Sequence, residues 1–491
     1  MELQFEKQDI SCLRRITGDT VTGEVTQEVR LPEEMPDASC VVAVWGQVLL
    51  RSKEWRTGGM TVSGGVMAWV LYSTEENEKL QCVDAWLPFQ MKWDFPDPGR
   101  DGRICAWGHL QSIDARCASA RKLMLRANAA VCGNAYVKDM LPIPQVGELP
   151  EDVQIQTPTY PICFMKEVGE HGFSVEETLA APQMDTCVYY TVEPAITEQR
   201  VMGDKLVFRG SAKVHMLCMK DGKMESWDGE LPFSQFCDLE RSFEQETQGY
   251  LVPAVTSMEI EKTEDGSCVF KCGMTCQYMI TERKMLALPE DSFSTQRALK
   301  LRQAELEIPC VLQQHSHNLP MNCTLPCQCA RIIDGTVCPG SGMYDAGENS
   351  YILPLRGQLL YADQQGKIRC ESCNWEEKLP MSADGGVHPK MYEEILNSHW
   401  SLSPDGGQLH GEIMLWEMTD MLSPMEVITG IELGEMEKKD PNRPSLILRR
   451  LGQESLWDVA KSCRTTVSAI KSANNLDTDP TTDKMLIIPI S

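Results

Sequence analysis

Three stretches of the chain alternate apolar and polar residues with a period of two. Phe208, Gly210, Ala212, Val214, Met216 and Cys218 alternate with Arg209, Ser211, Lys213 and His215, which predicts a strand with one buried face. The same face recurs as Val62, Gly64, Val66, Ala68, Val70 and Tyr72, and as Tyr351, Leu353, Leu355, Gly357, Leu359 and Tyr361. Gly64 aligns with Gly210 and Tyr72 with Tyr361, and the third copy carries Leu353 where the others have glycine. After a polar turn each strand is followed by a second match: Leu-Pro-Phe at 87–89 and 231–233, Leu-Pro-Met at 379–381. Pro354 on the outward face predicts an edge strand, because proline cannot donate to a ladder. Met67 and Trp69 make the outward face of the first copy apolar, which predicts either that a neighbouring domain or sheet covers it or that it marks a partner site.

Near the C-terminus the period changes. Leu456, Val459 and Ala460, then Val467, Ile470 and Ala473, fall at helical spacing. Ser455 and Thr466 stand where N-caps belong, and Asn474 and Asn475 suit a left-handed exit. With Leu446 and Leu448 before and Met485 to Ile488 after, the predicted order is strand, helix, helix, strand, around Leu456, Trp457, Ile470 and Leu476.

The expected fold is mainly β: three tandem sandwich- or barrel-like domains followed by a small α+β module. Proline clusters suggest the borders: residues 1–140, a linker at 141–161, residues 162–315, residues 316–436, a linker at 437–444, and the module at 445–491. A chain of 491 residues is long enough for several cores.

A net charge of −25 argues against nucleic acid or anionic lipid as the main partner. No stretch approaches 18 uncharged apolar residues, so membrane insertion is not expected. The N-terminus lacks the basic start and apolar run of a signal peptide, so a cytoplasmic location is expected. The 21 cysteines are odd in number and scattered, which fits reduced thiols in a reducing compartment.

No mechanism-bearing catalytic motif occurs, so the chain is not expected to be an enzyme, and no cofactor is implied. Cys310, His315, His317, Cys323, Cys327, Cys329 and Cys338 crowd together, with Cys370 and Cys373 downstream. They admit either a zinc site or thiols on buried strand faces. Cys268, Cys272 and Cys276 share one strand face by their even spacing.

The runs SLWDVAK, TTVSAIKSANNL and LIIP resemble the LysM domain over residues 445–491. Two departures stand out: the turn before the first helix is one residue longer, and Thr482-Asp483 replaces Pro-Gly before the last strand. The resemblance implies a shallow groove that takes N-acetylglucosamine polymers, as in peptidoglycan. Here it would be lined by Gly452, Gln453, Glu454, Ser455, Leu456, Asn475, Leu476 and Asp477. The repeated Gly…Leu-Tyr…Leu-Pro-Phe pattern ahead of it resembles the SPOCS-domain proteins of endospore-forming Firmicutes, of the SipL type. That resemblance implies a mother-cell protein at the forespore surface, an assembly adaptor in coat and cortex morphogenesis. It also implies that the LysM domain docks a spore coat morphogenetic ATPase.

Overall fold

The structure is a computed structural model that describes residues 2–74, 79–96, 102–179, 184–244, 247–263, 267–381, 390–438, 444–478 and 484–490. Among the described residues it is mainly β, with two short helices near the C-terminus.

One pairing pattern occurs three times. In the first lobe β2 (Glu6–Arg30), β7 (Lys122–Gln145) and β6 (Gly102–Ser119) form a sheet in the order β2-β7-β6, opposite the meander β3 (Ala38–Arg56), β4 (Gly59–Thr74) and β5 (Leu80–Asp94). The sheets share a core of Val62, Val66, Val70, Tyr72, Leu87, Leu123 and Leu125. In the second lobe β9 (Thr159–Leu179), β13 (Cys268–Ala287) and β12 (Gln248–Lys262) repeat the first sheet, with β10 (Thr186–Lys220) and β11 (Lys223–Phe243) as the hairpin. The third repeats it with β15 (Arg297–Leu325), β21 (Gly406–Met436) and β20 (Lys390–Ser403). Its meander is β16 (Cys329–Pro339), β18 (Ser350–Asp363) and β19 (Ile368–Pro380), extended by β17 (Met343–Asp345).

The three aligned strands are therefore β4, the second half of β10, and β18, and the apolar face expected of each is buried. Their glycine has a physical reason. A Cβ on Gly64 would lie 2.3 Å from the Leu49 carbonyl oxygen, and one on Gly210 would lie 2.1 Å from that of Ala195. In both lobes the preceding backbone approaches too closely for a side chain. At Leu353 the neighbouring strand is broken between Pro339, opposite Leu355, and Met343, opposite Ile352, so a side chain fits. The same break corrects the edge assignment from Pro354: β18 is central, paired with β16 and β17 on one side and β19 on the other. Pro354 sits at the gap, where no ladder bond is asked of it, and its carbonyl accepts from Gly340. The third motif match also shifts. Leu87 opposes Val66 and Leu231 opposes Ala212, but Leu379 opposes Tyr351, four residues along β18 from the aligned Leu355.

Two expected borders fall inside regular structure. Leu141–Gln145, placed in a linker, continue β7 against β2, with Ile10 opposite Leu141. Pro142 and Pro144 fit because, among the described residues, β6 pairs with β7 only as far as Val137. Farther along that stretch β8 (Val153–Gln156) pairs with β14 (Asp291–Ser294). The border between residues 315 and 316 lies within β15, which pairs with β21 from Arg297 to Leu325. Its Pro309 and Pro320 are compatible with an edge strand. Of the 437–444 linker, residues 439–443 lie outside the described residues.

The lobes close into one body. β1 (Glu2–Gln4) pairs with β21 of the third lobe, and the cluster of Leu13, Trp107, Tyr136, Met165, Val252, Met279, Val311 and Met418 draws on all three lobes. Glutamine amides replace strand pairing at the seams: Gln277 accepts from Ala106 N–H at 2.8 Å and donates to its carbonyl at 2.7 Å. Gln47 does the same for Val192 at 3.1 and 2.6 Å. Trp69 is covered by Tyr189 and Tyr190 of the second lobe, and Trp45 stacks on Tyr189 at 4.3 Å, which accounts for the apolar outward face of β4.

Candidate functional site

The C-terminal module folds in the expected order: β22 (Leu446–Arg450), α1 (Leu456–Cys463), α2 (Val467–Ala473) and β23 (Met485–Pro489), with β22 and β23 antiparallel. Local chemistry sets the helix ends. Ser455 Oγ accepts from Asp458 N–H at 3.1 Å while the Asp458 carboxylate accepts from Ser455 N–H at 3.0 Å, a reciprocal capping box. The hydrogen bond from the Ser455 hydroxyl holds the Asp458 carboxyl below its usual range. Arg464 ends α1 in the left-handed region at φ 51°. Thr466 caps α2 through Ala469 N–H at 3.0 Å.

Of the two asparagines, Asn475 takes the left-handed exit at φ 50°. Asn474 does something the sequence did not suggest. Its side chain donates to the Ile487 carbonyl at 2.6 Å and accepts from Ile487 N–H at 2.8 Å, so it closes the outer edge of β23 as a strand would. The core is Leu451, Leu456, Val459, Ala460, Ile470, Leu486 and Ile488.

Two loops carry the expected groove residues. Before α1, Gly452, Gln453 and Ser455 are exposed; after α2, Asn475 and Asp477 are exposed and Leu476 is half-buried. Leu456 is a correction, since at 2% exposure it belongs to the core and offers no side chain to a ligand. Glu454 is already engaged: Arg449 Nη2 donates to it at 2.7 Å, while Arg449 Nη1 donates to Ser462 Oγ at 3.0 Å. Arg449 thus braces the longer loop from below. It was missed, although an arginine on the otherwise apolar inner face of β22 is a readable signal. Thr482 and Asp483 lie outside the described residues.

Trp457, expected in the module's core, is half-buried at a contact between module and body. Its ring meets Phe293 of β14 edge-on at 4.9 Å, and its Nε1–H donates to Asp291 at 2.7 Å. Lys461 Nζ reaches both oxygens of Asp291, at 2.8 and 2.7 Å, and Arg464 pairs with Glu437. The contact uses α1 residues four apart, one face of the helix, and the exposed residues of both loops remain accessible.

The cysteine-rich stretch disperses. Cys310 is buried on β15, His317 Nε2 lies 2.9 Å from Glu417, and Cys323 and Cys373 meet at 3.4 Å. Among the described residues no group of three or more His, Cys, Asp or Glu side chains is placed to hold a metal ion. Burial pushes the Cys310 and Cys370 thiols up to about 11, which favours the neutral form. Cys268, Cys272 and Cys276 are all buried in β13. Among the described residues no helix is long and apolar enough to cross a membrane.

Comparison with known proteins agrees with the module's geometry. No curated protein and no solved structure matches the chain. The LysM domain family matches residues 453–489; the chain carries a LysM domain there, a module type that suggests binding of peptidoglycan or other N-acetylglucosamine polymers.

Proposed function

We propose that the protein is a non-enzymatic assembly adaptor of the endospore envelope, acting from the mother-cell cytoplasm at the forespore surface. In this reading the three-lobed body is a rigid scaffold of SPOCS-type repeats, and the LysM loops engage a coat morphogenetic ATPase. The observation that carries the adaptor reading is the docking of the LysM domain on β14 through Asp291, Trp457, Lys461 and Phe293. Such a contact fixes the loops Gly452–Ser455 and Asn475–Asp477 relative to a large body instead of leaving them on a free tether. The repeat pattern, through its resemblance to mother-cell SPOCS-domain proteins, is what supports the cytoplasmic setting.

The LysM match itself favours a second reading, in which the same loops hold an N-acetylglucosamine polymer of cortex or wall. Titration of the full chain with the purified ATPase and with N-acetylglucosamine oligomers separates the two. The adaptor reading expects saturable ATPase binding, weakened in Gln453→Ala and Asn475→Ala, and no oligomer binding. Oligomer binding without ATPase binding overturns it.

A further inference from the structure

The two sheets of the third lobe meet at edge strands. β15 ends the path β1-β21-β15, and among the described residues β19 pairs only with β18, so no backbone ladder joins these two edges. Side chains join them instead. The Glu377 carboxylate on β19 accepts from Asn322 N–H of β15 at 3.3 Å and from Trp375 Nε1–H at 3.1 Å. Next along both strands the thiols of Cys323 and Cys373 lie 3.4 Å apart.

Strand period and one glycine put the sulfurs there. Cys323 shares the inner face of β15 with the buried Met321 and Leu325. Cys373 stands opposite Gly357 of β18, where a Cβ would lie 3.1 Å from the Cys373 sulfur and 2.9 Å from the Trp400 ring. The missing side chain leaves the thiol room to turn inward. Both cysteines pack against the lobe's core yet are only half-buried, whereas Cys268, Cys272 and Cys276 are buried. A small reagent therefore has access to this pair.

We infer that Cys323 and Cys373 are a redox-active pair that closes into a reversible disulfide, stapling the edge of one sheet to the edge of the other. Closing from 3.4 Å to a bond of about 2.05 Å is a side-chain movement. The oxidant is a low-molecular-weight disulfide. One cysteine thiolate attacks it, a protein–small-molecule S–S bond forms and one small thiolate leaves; the second cysteine attacks the protein-side sulfur and expels the other. Two protein thiols are oxidised, the small disulfide is reduced to two thiols, and the two cysteine protons end on them. Under a reducing poise the pair stays open, and it closes as the poise rises. Burial, then the adjacent Cys323 thiol, pushes Cys373 up to about 12, so exchange is slow at neutral pH and the pair is read at equilibrium. The inference does not rest on what the LysM loops bind.

In the test, the full chain is equilibrated in glutathione buffers from reduced to oxidised, quenched with N-ethylmaleimide and digested without reductant for mass spectrometry. The expected product is a cross-linked peptide pair carrying Cys323 and Cys373, which grows with the oxidised fraction and disappears with dithiothreitol; this mapping needs no variant. The bridge joins residues 50 apart and restricts the unfolded chain, so the oxidised protein should melt several degrees higher than the reduced one. Cys373→Ser should abolish that difference. Cys40, which is exposed, reports that the oxidant has acted. A mixed disulfide at Cys40 without the 323–373 cross-link overturns the inference. So does linkage of Cys323 to Cys327, a cross-link that forms only in urea, or one that leaves the melting temperature unchanged.

Discussion

Single residues decide how the LysM domain is held together and to the body. Ser455→Ala removes the cap of α1, and a cost of about 1 kcal/mol is expected, read as a lower denaturation midpoint of the module. Asp291→Ala takes the shared acceptor from Trp457 and Lys461. The expected outcome is an undocked module: a red-shifted tryptophan emission and faster amide exchange in α1, with the body's own unfolding transition unchanged.

Two titratable contacts give opposite pH dependences. At His215 burial opposes the charge, but hydrogen bonds to Asp228 and Asp334, at 2.7 and 3.0 Å, outweigh it and raise the imidazole to about 10. A raised folded-state value means that its stabilisation is complete below the unfolded value near 6.5 and is lost as pH rises through about 10. Asp152 is lowered to about 2, chiefly by its hydrogen bonds from Arg297 at 2.7 and 2.5 Å. Its contribution is present above the unfolded value near 3.9 and is lost as pH falls toward 2. Denaturation midpoints of His215→Gln and Asp152→Asn across pH check both: the first should flatten the alkaline limb and the second the acid limb.

At the scale of elements, legibility followed the range of the interactions. The LysM order could be read because caps and turns are local chemistry: Ser455, Thr466 and Asn475 each act within a few residues of themselves. The apolar faces of β4, β10 and β18 were readable for a similar reason, since strand alternation survives whatever lies opposite. Prolines misled where a strand had only one partner. Pro142, Pro144, Pro309 and Pro320 look like linker punctuation, yet the first two sit in the end of β7 beyond its described pairing with β6 and the other two in the edge strand β15. The glycine pattern also needed the structure, because Gly64 and Gly210 answer to carbonyls of a neighbouring backbone. Gly210→Ala should therefore cost about 1–3 kcal/mol as overpacking, in a denaturant titration where Ser211→Ala is close to neutral.

For the whole molecule the sequence suggested beads on a string, and the structure packs the three lobes into one body. What holds it together carries no periodic signal: β1 joins the third lobe at β21, and Gln277 meets Ala106 from 171 residues away. Leaving such buried amides unpaired costs about 1–3 kcal/mol each, so the lobes are expected to unfold together. Calorimetry should give one transition for residues 1–436, and Gln277→Ala should lower it without splitting it. The candidate site was legible to a similar degree. Its loops were placed correctly along the chain, but Arg449 beneath them and Asp291 behind α1 act through side chains that only the folded protein brings together.

The proposed role requires the LysM domain, fixed on the body, to present its two loops to a protein. Amide hydrogen exchange of the full chain with and without the coat ATPase reads this out. Slowed exchange confined to residues 452–455 and 475–477, with β14 unchanged, is the predicted result. Unchanged exchange at both loops with the ATPase, alongside slowed exchange there with peptidoglycan fragments, would contradict it.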